Sequence, residues 1–220
     1  MKYYKLLTQD LKSHNNTQWQ IGVPITIQKE GVEMCTDQVL HCYNHPFLAV
    51  LLNPIHANIS NPKLFEIEVD QIVANDGLKF ASKSQTLIGE IPLPQINTEQ
   101  RIEFAIKVAK LVCKDSKWNL WADSWLDSSD RSKKSARAAS ASASASADRA
   151  ASASADRAAS AATAWAATAW ADADWAAWAA ARAAYAARAA YTTNAADAAD
   201  KNEFNQKMID IIGEIVNVKA

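Results

Sequence analysis

A chain of 220 residues with a formal net charge of -1 has no global field to draw it to nucleic acid or to anionic lipid. Cys35, Cys42 and Cys113 are an odd number of thiols in a long chain, which argues against a disulfide framework and for a reducing compartment. The opening MKYYKLLTQD has no apolar core of signal-peptide length, and no apolar run approaches the ~20 residues that span a bilayer, so the expectation is a cytoplasmic protein with no membrane partner.

All six prolines and four of the five glycines precede residue 97. Lys2 to Thr8 reads as a strand, and Thr17 to Ile21 and Pro24 to Gln28 as two more. Val39 to Tyr43 is a short apolar strand. Pro46 suits the first turn of a helix over Phe47 to Leu52, which Asn53-Pro54 should stop. Leu64 to Val69 alternates strictly, with Phe65, Ile67 and Val69 on one face and Glu66 and Glu68 on the other, as in a half-buried strand. Asn75-Asp76-Gly77 is a turn, and Leu78 to Ala81 with Thr86 to Ile91 forms a hairpin-like pair. Residues 1–96 therefore read as a small, mostly antiparallel α+β module.

Asn97 with Gln100 is a capping box that opens a connecting helix over 97–127. Ile102, Ala105, Ile106, Ala109, Val112 and Cys113 recur at helical spacing, and Trp118, Trp121 and Trp125 follow in a second stripe. Both are the signature of a buried face. Asp127 to Asp130 marks a break. Arg131, Lys133, Lys134 and Arg137 then cluster, a pattern that reads as a solvated helix start more readily than as a phosphate patch.

Residues 128–193 form the Ala-rich segment. Of the 65 residues from Ala136 to Asp200, 36 are Ala, and none is Gly, Pro, Leu, Ile, Val, Met, Lys or Glu. ASASADRA repeats in tandem at 143–150 and 151–158, and AATAW repeats at 161–165 and 166–170. Ala is the strongest helix former and the run has no internal stop, so it reads as helix. The Ala/Ser alternation over 141–147 would suit a strand, but it lacks the β-branched and aromatic residues that strands favour. One helix over 136–190 would be about 80 Å long, so a folded-back hairpin or bundle is expected. Small side chains let helix axes approach more closely than the usual ~8–10 Å. Steps of five residues make Trp165, Trp170 and Trp175 spiral around the axis, whereas Trp175, Trp178, Arg182 and Tyr185 share a face. Tyr191 to Asn194 is a second break. Phe204, Met208, Ile211, Ile212 and Ile215 give a final amphipathic helix within 194–220.

Few residues carry a chemical signature. Cys35, His41, Cys42, His45 and His56 are zinc-ligand types, but no C-x-x-C spacing is present, and buried thiols beside partly exposed histidines explain them better. His41 and Cys42, being adjacent in a strand, point to opposite faces. Glu66 and Glu68 put two carboxylates on one strand face, which suits a solvated face first and, as the alternative, acid–base work of the ADP-ribosyltransferase type with His41 nearby. Lys79 and Lys83 beside Phe80 form no specific pattern. Thr163 and Thr168 stand ~140° apart around a helix, unlike the regular Thr array of an ice-binding face. No catalytic triad, phosphate-cradling loop or metal motif is present, so neither cofactor nor metal is expected.

Three stretches carry a resemblance. Lys2-Tyr-Tyr-Lys5 through Asp10 to Gln18-Trp19-Gln20 is one. Glu33-Met-Cys35 with Leu40-His41-Cys42 is the second, with Gln38 and Val39 standing where a Gly–aromatic pair is usual. Leu64 to Val69, Asp76-Gly77-Leu78-Lys79 and Leu87 to Leu93 make up the third. Over residues 2–93 the chain resembles an uncharacterised family common in phage and prophage genomes, whose members are often followed by low-complexity repeats, some of them Ala-rich with Trp and Arg. The family has no established activity to carry over. The resemblance implies a phage or mobile-element origin and a bacterial or phage-infected cytoplasm.

The reading is thus a non-enzymatic interaction or structural protein, with an α+β head and Ala-rich helices that self-associate or hold a protein partner. The expected interaction face comprises Trp165, Trp170, Trp175, Trp178, Tyr185 and Tyr191. His41, Glu66 and Glu68 mark a second candidate site. An antitoxin or anti-defence factor that sequesters a host protein is a further alternative.

Overall fold

The computed structural model describes residues 2–14, 16–147, 158–159, 161–163, 173–192 and 198–217, without the side chains of 143–147, 173–177, 179, 192, 198 and 217. The chain divides into two units: residues 1–95 with 201–205, and residues 96–200 with 206–220. The architecture is α+β, antiparallel strands first and helices later.

The first unit holds two antiparallel sheets. Strands β1 (Tyr3–Leu7), β4 (Lys63–Val69), β7 (Ser84–Ile91) and β2 (Pro24–Thr26) lie in that order in one sheet; β3 (Leu40–Cys42), β6 (Phe80–Ser82) and β5 (Ile72–Asn75) form the other. Alternation along each strand turns one set of side chains inward. Tyr3, Leu7, Phe65, Ile67 and Leu87 from the first sheet meet Leu40, Cys42 and Phe80 from the second, with Trp19 among them. Tyr4 and Tyr43 exchange backbone hydrogen bonds of 2.7 and 2.9 Å and tie β1 to β3. Helix α1 (Pro46–His56) buries Leu48, Ala49, Leu51 and Leu52 and packs on β1.

Three local expectations are corrected. Helix α1 runs through Pro54 instead of stopping before it. Proline costs one backbone bond near the end of a helix, and the last turn is held from below: the Asn53 carbonyl accepts from Ala57 N–H at 3.1 Å, and its side chain bonds both the N–H and the carbonyl of Ile59. Thr17 to Ile21 is no strand; Trp19 N–H turns back to the Leu11 carbonyl at 2.9 Å, and only isolated bridges remain at Gln18 and Ile21. The expected pair over 78–91 does not form, because the chain changes sheets at Lys83. β6 pairs with β3 and with β5, a strand that the alternation did not reveal, while β7 pairs with β4 and β2.

Asp76 to Lys79 connects β5 to β6. Gly77 has φ +84° there, and a Cβ on it would lie 3.3 Å from the carbonyl of Lys201. That carbonyl belongs to helix α6 (Ala198–Asn217), whose residues Lys201–Asn205 are part of this unit. Phe204 is fully buried, and Asn205 bonds Asn44 at 2.6 Å and the Gly77 carbonyl at 3.4 Å.

The second unit is helical, and the connecting helix expected over 97–127 is two helices, because the chain leaves the helix after Lys110 and Asp115 caps a new one. α2 (Thr98–Lys110) opens with the full capping box of Asn97 and Gln100, and α3 (Ser116–Leu126) is capped by Asp115, whose carboxylate accepts from Trp118 N–H at 2.7 Å. Both stripes read from the sequence are buried, Trp118, Trp121 and Trp125 included, apart from Val112, which is half-buried. The Trp118 indole donates to the Ala159 carbonyl at 3.1 Å. α4 (Lys133–Ala147) is helical through the Ala/Ser alternation. Arg131 is tied inward, its guanidinium 4.3 Å from the Trp125 ring centroid and paired with Glu99 at 2.8 Å, while Lys133, Lys134 and Arg137 lie in solvent. α5 (Ala173–Thr192) packs along α2, and its Ala180, Ala181, Ala183, Ala184 and Ala187 are all buried. Met208, Ile211, Ile212 and Ile215 of α6 complete the core. Trp165, Trp170, Thr168 and Asn194 lie outside the described residues, as does the side chain of Trp175.

Candidate functional site

On β1 the pleat puts Lys5 on the same face as Tyr3 and Leu7, so a lysine enters the space between the two sheets. It is buried, its ammonium donates to the His41 carbonyl, and it stands 4.8 Å from the centroid of the Trp19 ring. Removal from water pulls its pKa down to about 8. Cys42, across the same space, is pushed up to about 12 by burial and stays a thiol.

The other face of β3 carries His41, and Tyr43 follows directly after the strand. His41 Nε2 accepts the backbone N–H of Cys35 at 3.0 Å, which assigns the ring proton to Nδ1. Burial first, then the ammonium groups of Lys79 and Lys5, lower its pKa to about 3, against a smaller opposing pull from Asp76. The imidazole is therefore neutral at physiological pH. The Tyr43 hydroxyl meets His56 Nδ1 at 2.7 Å, with the rings stacked, and burial raises the Tyr43 pKa well above the phenol range.

Cys35 completes the cluster. Its thiol is exposed, and its backbone has φ +64°, a left-handed conformation that costs a non-glycine residue about 1–2 kcal/mol. The bond to His41 holds it there. The Lys79 ammonium donates to Cys35 Sγ at 3.1 Å, and Lys79 is itself 6% exposed. The loop bearing Cys35 is closed by Lys83, whose three ammonium hydrogens match three carbonyls, those of Lys29 at 2.7 Å, Gly31 at 2.5 Å and Gln38 at 2.8 Å. Asp76 receives the backbone N–H groups of Leu78 and Lys79, both at 2.9 Å, which fixes the root of the Lys79 side chain.

The residues singled out in the sequence are thus separated. Glu66 and Glu68 lie on β4, in the other sheet from His41; Glu66 pairs with Lys2 at 2.9 Å and Glu68 is exposed. The charges that bear on His41 are instead Lys79, Lys5, Asp76 and His56. Lys5, Lys79 and Lys83 escaped sequence reasoning. Strand alternation with Tyr3 and Leu7 was a usable signal for Lys5; the roles of Lys79 and Lys83 depend on a loop some 45 residues away and left none. Among the described residues no three His, Cys, Asp or Glu side chains gather as metal ligands.

On α5, Trp178 and Tyr185 are exposed at 37% and 45%, with Arg182 in solvent between them. The Arg182 guanidinium lies 4.7 Å from the Trp178 ring centroid, and that of Arg188 4.7 Å from Tyr185. Tyr191 turns inward, its hydroxyl accepting from Lys207 at 2.7 Å.

Residues 1–99 match a domain of unknown function, DUF7666. An uncharacterised family thus covers the strand-bearing part of the chain. No curated protein and no solved structure shows significant similarity to it. Among the described residues, no helix is long and apolar enough to cross a membrane.

Proposed function

We propose that the chain is a non-enzymatic interaction protein of phage or mobile-element origin, whose Ala-rich helices hold a protein partner or a second copy. One observation supports this most. Helix α5 buries a row of methyl groups and leaves two large rings outside: Ala180, Ala181, Ala183, Ala184 and Ala187 are buried, while Trp178, Arg182 and Tyr185 form one outward stripe. Ordinary packing does the reverse, since a buried aromatic removes far more apolar area from water than Ala. Trp, Tyr and Arg are also the residue types that dominate the energetics of protein interfaces. The phage or mobile-element origin rests on the resemblance of residues 2–93.

The test is light scattering on the full chain after size exclusion, together with pull-down from a bacterial lysate. A mass above that of the monomer, or a specifically retained protein, is expected. The double variant Trp178→Ala, Tyr185→Ala should lose that association at least tenfold while keeping its far-UV circular dichroism. A chain that stays monomeric and retains nothing, or association unaffected by the double variant, would refute the reading.

A further inference from the structure

The Cys35 thiol stands out because of what is aimed at it. A lysine left only 6% exposed, as Lys79 is, normally brings its ammonium to a carboxylate or several carbonyls. Among the described residues, no carboxylate lies within ion-pairing distance of Lys79, and its ammonium has one hydrogen-bond acceptor, Cys35 Sγ at 3.1 Å. Both sides of this contact are held in place. Asp76 pins the backbone of Lys79, His41 pins that of Cys35, and Lys83 closes the loop between Lys29 and Gln38. The sulfur is open to solvent on its other side. Cys42 and Cys113 are both buried, and Cys42 faces the opposite side of β3 in the core, so neither is poised to resolve an oxidised Cys35 as a disulfide.

We propose that Cys35 is a site of oxidation by hydroperoxides, and that Lys79 captures the oxidised sulfur in a reversible sulfur–nitrogen cross-link. The thiolate, the reacting form of any cysteine, attacks the peroxide; the O–O bond breaks, an S–O bond forms, and sulfenic acid and hydroxide result. The hydroxide takes a proton from the neighbouring ammonium and becomes water. The freed amine attacks the sulfenic sulfur, the S–N bond forms, the S–O bond breaks, and the leaving hydroxide departs as a second water with the proton that nitrogen sheds. One peroxide is reduced to two waters, and the thiol–amine pair is oxidised by two electrons. A thiol reductant reverses the link by attacking its sulfur, which returns the amine and, with a second thiol, the free cysteine. Condensation of a sulfenic acid with a backbone nitrogen is an established branch of cysteine oxidation; here a side-chain nitrogen already sits 3.1 Å from the sulfur.

The experiment treats the full chain with hydrogen peroxide, blocks free thiols, and reads intact mass and proteolytic peptides. The expected product is lighter than the reduced chain by about 2 Da, joins the Cys35 and Lys79 peptides, and disappears on incubation with dithiothreitol. Lys79→Arg keeps a cation beside the sulfur but offers no comparable nucleophile, so it should lose the cross-link and accumulate sulfinic acid at Cys35, about 32 Da heavier. Cys35→Ser should abolish both products, and serves as the control should the arginine variant fold poorly. Four outcomes overturn the proposal: sulfinic acid as the main wild-type product, a cross-link at another lysine, a bridge that retains oxygen and is about 14 Da heavier, or an unchanged cross-link in the arginine variant.

Discussion

Replacing His41 with glutamine should remove most of the acid sensitivity of the strand-bearing unit between pH 7.5 and 5. The His41 pKa falls from the ordinary 6.5 to about 3, so the unfolded chain takes up a proton in this window and the folded chain does not. Stability therefore falls as pH drops below 6.5, and the loss is complete near pH 3. At about 1.4 kcal/mol per tenfold change in proton affinity, the full span is at most about 5 kcal/mol, and about 2 kcal/mol is lost by pH 5. That corresponds to roughly a 30-fold rise in the opening equilibrium of β3. Glutamine keeps an acceptor for the Cys35 N–H but cannot ionise. The lowered pKa of His45 adds a slope of the same sign in both proteins, so the difference between them isolates His41. Hydrogen exchange of peptides spanning Leu40 to Tyr43, corrected for intrinsic rates, reads the effect directly. The wild type should lose about 30-fold protection at pH 5 and the variant less than about 5-fold. Equal losses in the two would mean that His41 is solvated and that the burial argument fails.

Lys5→Met should stabilise the same unit by about 1–2 kcal/mol at pH 7 in urea denaturation, because the wild type keeps a charge where water is excluded and an apolar side chain of similar length does not. The sign reverses with alkali: folded Lys5 loses its proton above about pH 8 and the unfolded chain only near 10.5, so the wild type gains stability relative to the methionine variant across that interval. The raised Cys42 and Tyr43 pKa values destabilise both proteins there, so the difference between the two curves reads Lys5. Destabilisation of the methionine variant at pH 7 would show that the bonds to the His41 carbonyl and the Trp19 ring outweigh desolvation. Gly77→Ala should cost about 1–2 kcal/mol, since it places a Cβ at φ +84° and 3.3 Å from the Lys201 carbonyl. Exchange protection of residues 201–205 should fall with it, and an unchanged pattern would count against that contact.

What was legible in the sequence is what neighbours along the chain decide. The capping box of Asn97 and Gln100, the alternation of β4, the Trp118, Trp121 and Trp125 stripe and the helicity of Lys133–Ala147 all follow from spacing and propensity over a few residues, and each has its counterpart in the structure. That the Ala-rich helices would pack through small side chains was legible too; that α2 is what α5 packs on was not.

Tertiary structure decided the rest. Nothing local tells β6 and β7, with one residue between them, to join different sheets; the edges available in each sheet do. No short window of sequence reveals that Lys201–Asn205 docks beside Gly77, or that Lys79 meets Cys35 across 44 positions of chain. Periodicity assigns a side chain to a face, but the partner it meets there, and hence the protonation and reactivity it acquires, depends on which distant surfaces exclude water from it.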